Sequence, residues 1–133
     1  MLIFDNNLSF EFTDFKYNKF KKIYLVFNKN ENRSIKLNEK VTKFKHLLFE
    51  DQEKILKEQS INCEIIDISQ IKKINEKNIG LYPNVGENLD YLNLNNLKIN
   101  FLYRKLDQYS WQYCNKGFFN FKNYIPKIIS NFT

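Results

Sequence analysis

The residues of this chain that could do chemistry are few: one histidine, two cysteines and one close pair of carboxylates. A catalytic or metal-binding histidine needs partners at hydrogen-bond or ligand spacing. His46 has none nearby in sequence, which predicts a surface or boundary residue. Cys63 and Cys114 lie far apart with no CxxC pairing, so two buried thiols are expected in preference to a disulfide or a metal site. Glu87 and Asp90 fall in a stretch that reads as a loop, where function often resides, but an ordinary polar turn would use the same residues. The run Asn28-Lys29-Asn30-Glu31-Asn32, which follows the most apolar segment, contains no glycine to let backbone approach a pyrophosphate. These readings predict no catalytic residue, no metal ligand and no cofactor.

A second kind of chemistry is non-covalent. In the C-terminal third Phe101, Tyr103, Tyr109, Trp111, Tyr113, Phe118, Phe119, Phe121 and Tyr124 are interleaved with Arg104, Lys105, Lys116 and Lys122. Aromatic rings can stack on unpaired bases while basic groups neutralise phosphates. Core packing or a protein interface would draw on the same rings. Charge is also unevenly spread. Residues 14 to 46 carry ten basic groups against three acidic ones, and residues 101 to 133 carry five against one, around an acidic middle at 47 to 100. The expected RNA-contacting set is therefore Lys19, Lys21, Lys22, Lys43, Lys45, Arg104, Lys105, Trp111, Lys116 and Lys122.

The string Gly86-Glu87-Asn88-Leu89-Asp90 is similar to a segment of the barstar-type ribonuclease inhibitors. Five residues in a basic chain carry no family assignment.

Elements must position these residues. Leu8, Phe10 and Phe12 alternate with polar neighbours, which predicts a strand over 8 to 12. Residues 22 to 27 form a continuous apolar run bounded by a turn cluster and suit a core strand covered on both faces. Residues 33 to 37 predict a weak edge strand with Ile35 and Leu37 facing inward. From Asn38, a good N-cap, the period becomes helical, and a helix over 39 to 59 should bury Val41, Phe44, Leu48, Ile55 and Leu56. Residues 62 to 68 return as a strand, making a strand, helix, strand crossover with a parallel pair; Ile23, Leu25, Phe27, Ile66 and Ile68 should be buried. A short helix capped by Ser69 and ending near 78 to 80, a long loop over 81 to 96, a strand from Leu97 to Tyr103 and a final helix from Pro126 burying Ile128 and Ile129 complete the reading.

With 133 residues, 43% hydrophobic and 27% charged, the chain should fold as a single domain over 1 to 133. The expected class is α+β, or a small α/β fold: a mixed sheet of about four strands packed with one long amphipathic helix and one or two short ones. No apolar run approaches the roughly 20 residues of a membrane span, and no secretion signal marks residues 1 to 10. Alanine is absent, and Phe, Tyr, Ile, Asn and Lys make up 75 of 133 residues. These have AT-rich codons and point to an AT-rich genome, that of a protist organelle such as a mitochondrion, a low-GC bacterium or one of its phages. The net charge of +6 permits nucleic-acid binding without demanding it.

The functional expectation is a non-catalytic structural subunit of a larger assembly, with protein subunits as partners and RNA contacted by the basic ends, as in an organellar ribosomal protein. The alternatives are a peripheral protein-interaction module, such as an accessory subunit of a respiratory complex or a small inhibitor or immunity protein, and a small enzyme built on carboxylates.

Overall fold

A computed structural model describes residues 1–8, 19–74 and 78–132. The chain divides into two compact units, Met1–Leu102 and Tyr103–Thr133.

The apolar run after Lys22 forms a strand, β2 (Ile23–Phe27), as its branched and aromatic content requires. Helix α1 (Glu39–Glu58) starts where Asn38 accepts a hydrogen bond from the Lys40 N–H, and β3 (Cys63–Asp67) then pairs parallel to β2 with Leu25 opposite Ile65. The expected crossover is present, and Ile23, Leu25, Phe27, Ile66 and Ile68 are all buried.

Three further strands of three residues each complete the sheet: β1 (Leu2–Phe4), β4 (Ile79–Leu81) and β5 (Asn100–Leu102). Every pairing among the described strands is parallel and the order is β3-β2-β1-β4-β5. The α and β class stands, but the expected mixed sheet of about four strands is a parallel sheet of five. Such a sheet must be covered on both faces. One face packs Ile3, Leu25 and Phe27 with Phe49 and Leu56 of α1. The other packs Leu2, Phe4, Val26 and Ile66 with Ile68 and Ile71 of a 3-10 turn and with Leu92 of a second helix, α2 (Glu87–Leu94). Gly80 sits in a tight place: a Cβ there would lie 3.2 Å from the Leu2 Cβ and 3.3 Å from a methyl of Ile99, so both would have to shift by a few tenths of an ångström.

Several local expectations change. The strand expected over 8 to 12 falls, apart from Leu8, outside the described residues, and Leu8 itself is not in a strand. Residues 33 to 37 form no strand, because a 3-10 turn at Asn30–Asn32 and its bonds to 33 and 37 fold the segment back on itself, leaving Ile35 exposed. In α1 the inward positions are Phe49 and Leu56, with Thr42, Lys45, His46, Gln52 and Glu53 half-buried beside them. Val41, Phe44, Leu48 and Ile55 are exposed instead; the first three line a shallow apolar hollow with Leu8. The cap of the 3-10 turn after β3 is Asp67, not Ser69: its carboxylate accepts from the Ser69 N–H, while Gln70 receives the Asp67 N–H. Its end is followed by β4 where only a stop was expected. Residues 87 to 94 of the expected loop are helix α2.

The C-terminal unit contains α3 (Lys105–Trp111), α4 (Phe118–Phe121) and α5 (Ile125–Ser130), the last with Pro126 in its first turn. Ile128 is its one buried residue among those described; Ile129 is exposed. The tyrosines pack on one another, Tyr113 stacked on Tyr124 with ring centres 4.5 Å apart and Tyr109 edge-on to Tyr113 and Phe132.

Candidate functional site

In an open parallel sheet, ligands bind outside the carboxyl ends of the strands, at the place where the strand order reverses. Here the order runs outward from β1 to β2 and β3, then resumes on the opposite side with β4 and β5, so the reversal lies between β1 and β4. Neighbouring strands lead away from that point in opposite senses, the arrangement that leaves a crevice in such sheets. Asn7, almost fully buried, braces it by donating from its side-chain amide to the Tyr82 carbonyl at 2.9 Å, tying the end of β1 to the end of β4.

A cleft of about 330 Å³ opens at this place. Its lining comes from Asp5 and Asn6 after β1, Arg33 from the segment after β2, Lys45 of α1, and residues 83 to 88 leading from β4 into α2. Parallel strands bring these groups to one edge because every strand ends there. Asn84 and Gly86 have φ of 60° and 134°, so the loop before α2 turns through the left-handed region twice in three residues.

The polar groups form a chain with fixed direction. Lys45 Nζ lies 2.5 Å from Asp5 Oδ2, and the Asn88 amide nitrogen donates to Asp5 Oδ1 at 2.8 Å. A carboxylate only accepts, so Asn88 must turn its NH₂ to Asp5 and its oxygen away. That oxygen receives the Asn28 amide nitrogen at 3.1 Å. Asn28 is therefore left with its own oxygen buried and, among the described residues, without a donor. Such an atom costs about 1–3 kcal/mol of unrecovered desolvation.

Glu87 is committed elsewhere. Its carboxylate receives the Ser34 hydroxyl at 2.6 Å and the N–H groups of Ser34 and Ile35 at 3.1 Å each. The Ser34 hydroxyl bond is the main cause that holds the Glu87 carboxyl below the ordinary glutamate range, with the two N–H groups and the Arg33 charge adding to it. Glu87 and Asp90 thus sit in the first turn of a helix, not in a loop, and only Glu87 reaches the cleft. Asp67, at the end of β3, anchors the segment after β2. Partial burial pushes its carboxyl up, but bonds from the Ser69 hydroxyl, the Asn32 amide and the Ser69 and Lys29 N–H groups bring it below its usual value.

The residues expected to contact RNA divide between the two units, and within Met1–Leu102 they do not share one edge of the sheet. Lys19, Lys21 and Lys22 precede β2 and so stand at the amino edge of the sheet, whereas Lys45 is drawn to the carboxyl edge by Asp5. Lys22 is paired with Glu64, which raises its pKa. Arg104 is held by both oxygens of Asp107 at 2.7 and 3.1 Å. Lys43, Lys105, Lys116 and Lys122 are exposed, and Trp111 is 41% exposed with its ring edge-on to Tyr103. Lys122 sits over the Phe119 ring at 5.7 Å.

Among the remaining sequence candidates, His46 is half-buried with its ring 4.4 Å from that of Phe27. Both cysteines are free; Cys63 is buried as expected, with its thiol pushed up by burial and then by Glu53, but Cys114 is exposed. No group of three or more His, Cys, Asp or Glu among the described residues is placed to hold a metal ion, and no helix among them is long and apolar enough to cross a membrane. Sequence reasoning missed Asp5, Asn28, Arg33 and Asn88. Their only signal was a polar residue directly after an apolar run, at Asp5 and Asn28.

Comparison with family models, with curated proteins and with solved structures finds no match.

Proposed function

We propose that the Met1–Leu102 unit is a ligand-binding α/β module whose cleft between the ends of β1 and β4 takes up a small polar molecule. The observation that carries this reading is the convergence, at the reversal of strand order, of Asp5, Arg33, Lys45 and Asn88 around about 330 Å³ of open volume. That size falls within the roughly 300–1,000 Å³ range of small-molecule sites. The glycine-free turn Asp5-Asn6-Asn7 after β1 argues against a dinucleotide, whose pyrophosphate needs close backbone approach. The test is backbone-amide NMR of the full chain against a mixed set of amino acids, sugars, nucleosides and inorganic anions. At least one compound should move amides at 5–6, 33–34 and 84–88 while leaving the amino edge of the sheet at 21–23 unchanged. A set that moves none of them overturns the reading.

A second reading is favoured by the exposure of Trp111, Phe118 and Phe119 beside Lys105, Lys116 and Lys122 in the C-terminal unit. It is the expected role in a larger assembly, with this unit contacting RNA. Affinity should then fall steeply with salt, because each neutralised phosphate releases counterions. Changing Lys116 and Lys122 to Glu should weaken binding, and Trp111→Ala should remove a stacking contribution of about 1–3 kcal/mol. A flat salt response overturns it.

A further inference from the structure

We infer that the molecule held in this cleft is a sugar or a sugar-bearing compound, bound through vicinal hydroxyl groups; the inference rests on the ligand-binding reading above. At Asp5 the cleft is short of donors: the carboxylate receives one bond on each oxygen, leaving lone pairs on both. At its two basic groups the cleft is short of acceptors. Lys45 uses one of its three protons on Asp5, and Arg33 uses Nε on the Ile35 carbonyl at 3.2 Å, with no acceptor at its two terminal nitrogens among the described residues.

A fully deprotonated anion brings acceptors alone and an ammonium-type cation brings donors alone. A hydroxyl brings one proton and two lone pairs, so it can donate to Asp5 and accept from Arg33 or Lys45 at once. Two adjacent hydroxyls can do so in parallel, one on each oxygen of a carboxylate. The formal charges agree: Asp5 and Glu87 balance Arg33 and Lys45, so the cleft has no excess of either sign to attract an ion. The other carboxylate of the lining, Glu87, already accepts three bonds from Ser34 and Ile35, against two at Asp5. Val85, 86% exposed on the rim, offers an apolar edge to the C–H face of a ring.

The experiment titrates the full chain with D-glucose, D-galactose, D-mannose and D-ribose in turn, with inorganic phosphate as the anionic arm, and follows backbone amides at 5–6, 33–34 and 84–88. At least one sugar should move these amides saturably, and phosphate should not. Asp5→Asn should abolish the response, but it also strands Lys45 and could disturb the cleft. Arg33→Gln carries the test without stranding Lys45, since the Arg33 side chain donates to the Ile35 carbonyl and otherwise acts on Glu87 only through its charge; it should weaken the response roughly tenfold, as loss of a charge-assisted hydrogen bond does. Phosphate binding without any sugar response overturns the sugar inference and leaves the ligand-binding reading standing. A sugar response unchanged in both variants overturns the inference as well. Silence toward every sugar, phosphate and the wider compound set overturns both.

Discussion

The two units differ in how they spend their aromatic residues, although Phe44 of the first is exposed as well. In Met1–Leu102, Phe4, Phe27 and Phe49 are buried, and a parallel sheet covered on both faces supplies the surfaces that bury them. In Tyr103–Thr133, Phe118, Phe119 and Phe132 are exposed and only Ile128 is buried among the described residues. The C-terminal unit falls below the roughly 40 residues at which a chain usually builds a core of its own. Its rings instead meet one another edge-on or stacked. Aromatic density in a sequence therefore does not distinguish core from surface; the length of chain available to wrap around it does.

The sharpest way to break that comparison is a matched pair of truncations. Phe4→Ala should cost about 3–5 kcal/mol, because the ring is fully buried and the site cannot collapse between β2 and β4. Phe119→Ala, at 79% exposure, should change stability by no more than about 0.5 kcal/mol. Denaturant unfolding of the two variants measures both. Equal costs would mean that Phe119 is packed in solution and that the contrast between the units is false.

Polar pairing gives a smaller contrast. Asn88→Ala removes a bond to Asp5 and another from Asn28 in one change, so about 1–3 kcal/mol should be lost. Arg104→Ala breaks a bidentate pair of the C-terminal unit whose two side chains are each about one-quarter exposed, and should cost at most about 1 kcal/mol. Both follow from unfolding curves. An Asn88 variant as stable as the parent would show that water replaces the pair without penalty and that the relay does not organise the cleft.

What could be read in advance divides by length. Residues 22 to 27, 39 to 58 and 63 to 67 are runs long enough for periodicity to speak, and they form β2, α1 and β3. The strands at 2 to 4, 79 to 81 and 100 to 102 have three residues each, which no period-2 count can separate from chance; only the last lies within an expected strand, which was drawn too long. The buried face of α1 was misjudged because Val41, Phe44 and Leu48 satisfy helical spacing as well as Phe49 and Leu56 do. Hydrophobicity alone cannot tell which of two adjacent stripes meets the sheet. The cleft was out of reach for a different reason. Asp5 and Asn88 lie 83 positions apart and meet only because β1 and β4 pair across the reversal of strand order. Lys45 stood out as a basic residue, but nothing in its surroundings along the chain announced that Asp5 would claim it.

The smallest expected effect concerns pH and is local to the N-terminal unit. The Glu87 carboxylate joins the Ser34–Ile35 segment to the start of α2, and its pKa in the folded chain is below its ordinary value of about 4.3. A group whose folded pKa is depressed binds protons more readily when the chain is unfolded, so its contribution is complete above the ordinary value and disappears as pH falls through the folded one. Because the side chain faces solvent, the loss should appear as release of the segment at 34 to 35 and not as global unfolding. Amide shifts of Ser34 and Ile35 should therefore move together with the Glu87 side-chain carboxyl during acid titration, at a midpoint lower than that of a free glutamate. Glu87→Gln should remove the shared transition, since an amide can still accept from one donor but does not titrate. The C-terminal unit has only one carboxylate side chain among its residues, Asp107, and its amides away from that residue, at 118 to 124, should stay still over the range in which Ser34 and Ile35 move. Concerted movement of both sets would mean that the units titrate as one body, and an unshifted midpoint at Glu87 would mean that the Ser34 bond does not persist in solution.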